Sequence, residues 1–203
     1  MTTKEIKLAK NLKNGIEFSC QMCGGCCRGF KEGEVYLYME DILKLVNHLG
    51  LKGEEGLREF AKKYVKIILD SFFWREPGEA KGRTYKYNTL GFKFTGTDEH
   101  CHFLDGNLCT IHEARPFQCR CFPWWQMMIT SKGKINLEDY AKKCDGLRFL
   151  KGKFYSAEEI LNWATEEYEI EKAYFLEMKK NNFDISKVYP FLPKEMIEKF
   201  KLK

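Results

Sequence analysis

The sequence contains 203 residues, of which 44% are hydrophobic, and this length and apolar content predict a globular protein rather than a disordered chain. Lys and Arg number 34 and Asp and Glu 29, which leaves a formal net charge of +5. The positive charges are spread along the chain, and this argues against a nucleic-acid partner. No stretch is apolar enough for a signal peptide or a membrane span, so we expect a cytoplasmic protein without a membrane partner.

The N-terminal half is predicted to contain short strands and two helices. Residues 16–18 alternate as a strand does, residues 35–37 are extended, and apolar residues at helical spacing predict a helix that ends at Gly50. A second helix is predicted within residues 54–70. Its apolar face would consist of Leu57, Phe60, Ala61, Tyr64 and Ile68.

The middle of the chain is predicted to be irregular. Residues 74–98 are rich in Gly and aromatic residues, which predicts loops and one or two small strands. Residues 127–136 predict a hairpin that turns at Lys132 and Gly133.

The C-terminal part, from about 154 to 203, is predicted to be helical. Ser156 and Glu159 form a capping-box pattern at the start of a long helix, and Pro193 precedes a short terminal one. We therefore predict a single-domain α+β fold over residues 1–203. Its metal-binding core, at about 16–147, would be a small irregular cysteine-rich centre with short strands, packed by four or five helices.

The nine cysteines are the main functional signal. In a reducing compartment, clustered thiols are more often metal ligands or redox groups than disulfides. Residues 20–27 read CQMCGGCC, so Cys20, Cys23 and Cys26 recur at every third position, and the glycines let the loop turn three sulfurs toward one centre. This spacing favours an iron–sulfur cluster over zinc, which usually takes its ligands as two separated pairs. The alternative for any of these residues is a buried thiol without a ligand role.

A second cysteine segment is needed because Cys27 directly follows Cys26. Adjacent side chains diverge, so this pair predicts two neighbouring metal positions that require ligands from elsewhere in the chain. The segments EHCHFLDGNLCTIHEARPFQCRCFPWW and KKCDGL supply them, and the eight sulfurs suffice for two four-coordinate sites. The further candidate ligands are Cys101, Cys109, Cys119 and Cys144, and Cys121 is left over.

Histidines and arginines lie beside these cysteines in the sequence. His100, His102 and His112 are either ligands or neighbours of ligands. Arg28, Arg115 and Arg120 either offset the negative charge of a thiolate site or pair with surface acids such as Glu113.

The strings CQMCGGCCRG, CHFLDGNLCTIHEARPFQCRCFP and CDGL together resemble the YkgJ-like cysteine-cluster (CxxCxxCC) family, whose members are described as zinc- or iron-chelating proteins. The resemblance covers residues 20 to about 147 and departs from the family at His112, where tyrosine is common, and at the extra Cys121. It implies metal ligation by the eight cysteines that match the family pattern. These are Cys20, Cys23, Cys26, Cys27, Cys101, Cys109, Cys119 and Cys144.

We therefore predict a cysteine-ligated metal-binding protein that holds an iron–sulfur cluster, or zinc in its place, for a redox or metal-dependent reaction. The family is also similar to part of the flagellin lysine N-methylases, which implies S-adenosylmethionine-dependent protein methyl transfer as an alternative. However, residues 148–203 contain no Gly-rich nucleotide loop. A structural zinc-binding interaction module is the other alternative. The expected partners are metal ions, and no catalytic residue is assigned.

Overall fold

The computed structural model describes residues 6–28, 33–97, 99–131, 137–142 and 144–201. Its strands are β1 (Ile16–Phe18), β2 (Tyr36–Leu37), β3 (Val65–Trp74), β4 (Arg83–Phe92), β5 (Phe94–Thr95), β6 (His100–Cys101), β7 (Leu104–Asp105), β8 (Leu108–Cys109) and β9 (Lys153–Tyr155). Its helices are α1 (Met39–His48), α2 (Gly53–Tyr64), α3 (Phe117–Cys121), α4 (Gln126–Ile129), α5 (Leu137–Ala141), α6 (Asp145–Phe149), α7 (Ala157–Lys180), α8 (Ile185–Val188) and α9 (Lys194–Lys201). The α+β class is confirmed.

The main sheet has the strand order β2-β4-β3 and is antiparallel throughout. Strands β3 and β4 pair along ten residues, from Val65 opposite Phe92 to Trp74 opposite Arg83. The inner face of β3 packs on α7, where the Phe72 ring stacks on Phe175 at 5.0 Å between centroids and lies 5.8 Å from Tyr168. The other sheets are two-stranded pairs, of which β1-β9 joins the two ends of the cysteine-containing segment.

Two predictions for local structure are wrong. The second helix ends at Tyr64, and Ile68, which was expected on its apolar face, lies in β3. The run VKIILDSFFW is rich in β-branched and aromatic residues, and its pairing with a ten-residue β4 overrides the helical spacing. The expected hairpin begins instead with the short helix α4, and its turn at Lys132 and Gly133 lies outside the described residues.

The prediction for residues 74–98 is correct only in part: β5 is a small strand, but β4 in the same segment is ten residues long because it pairs along its length with β3. The remaining predicted elements are confirmed. The strand β1, the extended β2 and the helix α1 occur where expected, and Gly50 follows α1 with a positive φ of 71°. Ser156 caps α7 through the predicted capping box with Glu159. Four helices in the described ranges have eight residues or more, namely α1, α2, α7 and α9, and the remaining ones have only one turn.

Two groups of buried side chains form the interior. One lies between the main sheet, α1, α2 and the second half of α7, and the other joins β1, α3, α4, α6 and the first half of α7. Helix α7 therefore contacts both groups. None of the helices in the described ranges is long and apolar enough to cross a membrane.

Candidate metal centre

Two glycines hold the backbone that leads into the CxxCxxCC loop. A Cβ atom on Gly146 would lie 2.4 Å from the Ser19 carbonyl oxygen, and one on Gly152 would lie 2.5 Å from the Ser19 Cβ. Only residues without a side chain permit this approach. The end of β1 is thereby held against α6, so Cys20, next to Ser19, lies near Cys144, which directly precedes α6.

The loop then turns toward the β7-β8 hairpin. Met22 and Gly24 have positive φ angles of 50° and 71°, and the chain closes into a single turn of 3₁₀ helix at Gly25–Cys27. A Cβ on Gly24 would lie 3.2 Å from the Asn107 Cα, and the Arg28 guanidinium donates a hydrogen bond to the Gly106 carbonyl at 3.1 Å. This anchor brings the end of the loop to the second cysteine segment.

Four cysteines from three parts of the chain form what we call the first thiol set. In every pair within this set, the two sulfurs are close enough to interact electrostatically. Burial, and then the neighbouring thiols, raise the pKa of Cys101 to about 12 and the pKa of Cys119 well above its ordinary value. The members of the set are Cys27, Cys101, Cys109 and Cys119.

The remaining family-matched cysteines form the second thiol set. Cys144 interacts with Cys20 and Cys23, and Cys26 interacts with Cys27 and Cys119 of the first set and then with Cys20. The two sets touch, because the Cys26 thiol is hydrogen-bonded to the Cys27 sulfur, which raises the pKa of Cys26 and lowers that of Cys27 to about 7. Cys26 therefore lies between the two sets, and we group it with the second set because it shares the CxxCxxC spacing with Cys20 and Cys23. The members of the second set are Cys20, Cys23, Cys26 and Cys144.

Four of these sulfurs accept a hydrogen bond from a backbone N–H group two residues further along the chain. The Met22 N–H donates to the Cys20 Sγ at 3.4 Å, and the sulfurs of Cys101 and Cys109 accept from the N–H groups two residues later. The sulfur of Cys144 accepts from two N–H groups at the start of α6. Hydrogen bonds to sulfur stabilise the thiolate form that binds metals. The glycine-containing CxxCxxCC loop predicts such donors at its own sulfurs, but no sequence signal indicated the donors at Cys101, Cys109 and Cys144.

Cys121 lies apart from both sets. Residues two apart on a helix are about 200° apart around its axis, so Cys119 and Cys121 occupy opposite sides of α3. The Cys121 thiol is buried and donates to the Trp163 carbonyl on α7 at 3.9 Å. Burial, and then the carboxylates of Glu167 and Glu166, raise its pKa.

The flanking arginines have different surroundings. The Arg115 guanidinium interacts with Cys27, Cys109 and Cys119 and favours their thiolate forms, and Arg28 acts in the same way on Cys27. The Arg120 guanidinium lies over the Phe117 ring, 5.5 Å from its centroid, and interacts with Cys121. Arg115 therefore compensates charge at the first thiol set.

Two of the histidines contact side chains other than those of the cysteines. The His102 ring packs edge-on against Tyr64, with centroids 5.7 Å apart, and the His112 Nδ1 lies 3.5 Å from a Glu113 carboxylate oxygen. His100 pairs with Thr95 in the β5-β6 ladder.

The types of donor present fit a thiolate metal site, but the sulfurs are not close enough together to form a coordination shell. Eight sulfurs approach in two touching sets, with N–H donors and an arginine directed at them. Within the described ranges, no three Cys, His, Asp or Glu side chains converge closely enough to hold a metal ion. Metal binding therefore requires the sulfurs to move closer together.

Comparison with known proteins agrees with this chemistry. Residues 19–145 match the family model described as "CxxCxxCC: Putative zinc- or iron-chelating domain". The chain is also similar to "Uncharacterized protein MJ0661" from Methanocaldococcus jannaschii, with 28% identity over 199 residues that cover 93% of this chain and 92% of that protein. No solved structure shows a significant match.

Proposed function

Since the chain belongs to the CxxCxxCC family of zinc- or iron-chelating domains, we propose that it binds metal through both thiol sets, one metal centre to each set. The bound group would be an iron–sulfur cluster at one set or both, used in a redox or metal-dependent reaction. Thiolates are the usual protein ligands of such clusters.

The observation that carries the proposal is the first thiol set. One of its sulfurs comes from residue 27 and three come from residues 101, 109 and 119 of a distant segment, yet each interacts with the three others. Burial, and then mutual repulsion, make thiolates unfavourable in this grouping, as the raised pKa values of Cys101 and Cys119 indicate. A bound cation would attract the thiolates, offset this cost and stabilise the fold.

Two features favour iron–sulfur chemistry over zinc. Cys20, Cys23 and Cys26 have the repeated spacing that is typical of cluster-binding loops. The N–H donors and Arg115 reduce the negative charge around the sulfurs, which raises the reduction potential of a cluster. Structural zinc at the same thiols remains the competing function, because cysteine accepts both metals.

The experiment is anaerobic purification followed by metal and acid-labile sulfide analysis and an absorption spectrum. We expect iron with sulfide and a broad visible absorption that bleaches on reduction with dithionite. Stoichiometric zinc without sulfide or colour would show that the thiols hold structural zinc and not a cluster. Protein that binds neither metal would refute metal binding.

A matched pair of variants tests the ligand assignment. Cys119→Ala and Cys121→Ala alter the same helix two residues apart, but only Cys119 belongs to a thiol set. We expect Cys119→Ala to lose the metal of the first set and Cys121→Ala to retain the full metal content. The opposite result would transfer the ligand role to Cys121.

A further inference from the structure

A cavity of about 280 Å³ lies on the other side of α3 from Cys119. It opens between β3, α3, α4 and α7, and its volume is near the lower end of the range for small-molecule sites. Phe117 and Gln118 line this cavity, and Phe117, two residues before Cys119, lies on the opposite side of α3 from Cys119. None of the described residues that line the cavity is a cysteine. The Gln118 side-chain amide is itself engaged with the backbone of Tyr36 and Glu34, at 2.6 and 2.9 Å, and is thereby held in place.

Three carboxylates face the cavity, and none of the residues that line it is a lysine, arginine or histidine. Asp70 lies on the inner face of β3, in the same alternation as Phe72, and Glu167 and Glu171 are one helical turn apart on α7. Glu171 also lies between the positions of Tyr168 and Phe175, which pack on that strand. All three acids therefore point into the interface between the sheet and the long helix.

The three carboxylates differ in their partners. Glu167 accepts a hydrogen bond from the Gln126 N–H at 2.7 Å, and Asp70 accepts from the Ser71 N–H at 2.7 Å and from the Tyr87 hydroxyl at 3.4 Å. Glu171 has no hydrogen bond or ion pair to any described residue. Burial, and then Glu167 and Asp70, raise the pKa of Glu171 to about 8. Glu171 is half-buried at this cavity, and a carboxylate partly removed from water without a partner is costly, so its presence indicates a site where a ligand supplies the missing charge.

The walls beside these acids are aromatic. Tyr36, Tyr38 and Trp125 line the cavity, and the Trp125 Nε1 donates to the Gln118 carbonyl at 2.8 Å, which fixes the orientation of the indole. Aromatic faces attract organic cations, whereas hard metal ions such as Mg²⁺ prefer a shell of oxygen ligands and water. The lining thus favours an alkylated ammonium group over an inorganic cation.

We propose that this cavity binds a small organic ammonium ion, with Glu171 as the principal counter-charge and the tyrosines and Trp125 as the surrounding wall. This site is separate from the thiol sets and does not depend on the proposed metal chemistry. The three acids also permit a ligand with two ammonium groups.

The test is titration calorimetry with n-butylammonium, putrescine and Mg²⁺ as separate probes, at pH 8.5, where Glu171 is largely ionised. We expect both amines to bind and Mg²⁺ to bind at least tenfold more weakly than either. Tighter binding of putrescine than of n-butylammonium would identify a diammonium ligand, and equal binding a monoammonium ligand. Absence of binding by both amines, or stronger binding of Mg²⁺, would overturn the proposal.

The variants are Glu171→Gln and, as a matched control, Glu166→Gln, which removes the same charge from an exposed position on the same helix. We expect Glu171→Gln to weaken amine binding at least tenfold and Glu166→Gln to change it less than twofold. Asp70→Asn serves as a second cavity variant and should weaken binding by a smaller factor. If Glu171→Gln and Glu166→Gln weaken binding equally, then the amines respond only to the overall surface charge, and the proposed site is refuted.

Discussion

Replacement of Glu171 by glutamine should stabilise the protein at neutral and alkaline pH. Because the folded state raises the pKa of Glu171 from 4.5 to about 8, the carboxyl favours folding below pH 4.5 and loses that contribution as the pH rises toward 8. The full shift corresponds to about 5 kcal/mol. Water in the open cavity screens the carboxylate, so we expect a gain of about 1–2 kcal/mol for Glu171→Gln above pH 8.

The assay is urea unfolding of wild type, Glu171→Gln and Glu166→Gln between pH 5 and 8.5, at matched metal content and without added amine. The difference between Glu171→Gln and wild type should be close to zero at pH 5 and grow with pH. Glu167, whose pKa burial raises to about 7, and Asp70 face the same region and are present in all three proteins. Tyr36 and Tyr38 also face it but stay neutral in this range, because burial raises the pKa of Tyr36 to about 12 and that of Tyr38 well above its ordinary value. A gain that is independent of pH, or that Glu166→Gln reproduces, would refute an uncompensated charge at Glu171.

Two further variants test the support of the thiol sets. Asp41→Ala should destabilise the protein by about 2–3 kcal/mol, measured by urea unfolding, because the buried Asp41 carboxylate accepts from the Phe117 N–H at 2.8 Å and the Tyr38 N–H at 3.3 Å, and both donors would lose their partner. A loss below 0.5 kcal/mol would contradict this role. Cys23→Ser should remove metal from the second thiol set and lower the melting temperature, because metal binding there also stabilises the fold. Unchanged metal content and melting temperature would exclude Cys23 as a ligand.

Sequence patterns predicted the elements whose signals are local. The helix α1, the capping box of α7 and the strand β1 follow from spacing and capping residues within a few positions of each other. The end of α2 could not be predicted in this way, because Val65 joins a strand only when residues 83–92 lie beside it. Helical periodicity within residues 54–70 carries no information about that distant partner.

Among the cysteines, too, some features have a local sequence signal and others depend on the fold. The divergence of Cys26 and Cys27 is a prediction from their adjacency, and in the structure Cys26 interacts with Cys20 and both cysteines interact with Cys119. The opposite directions of Cys119 and Cys121 became evident only once residues 117–121 were known to be helical. The cavity had no sequence signal at all, because its acids come from β3 and α7 and only the packing of those elements brings Asp70 to Glu171.

Gly146 provides the sharpest test of how the fold positions the second thiol set. In Gly146→Ala, the new Cβ would lie 2.4 Å from the Ser19 carbonyl oxygen, and this backbone atom cannot move without displacing Cys20. Alanine gains about 1 kcal/mol of helix propensity in α6, but overpacking costs about 1–3 kcal/mol, so we expect a small net loss of stability. The larger effect should be on metal content, with the second set depleted and the first retained.

The control for Gly146→Ala is Gly82→Ala, whose Cβ would lie 2.6 Å from the Phe73 ring and 2.9 Å from the Trp74 carbonyl oxygen in the β3-β4 hairpin. It should also lower stability but leave the metal content unchanged, because neither neighbour belongs to a thiol set. Metal analysis and urea unfolding of both variants separate general destabilisation from displacement of Cys20. If Gly146→Ala keeps its full metal content while it loses stability as Gly82→Ala does, then the contact between Ser19 and Gly146 supports the fold but does not position Cys20 for metal binding.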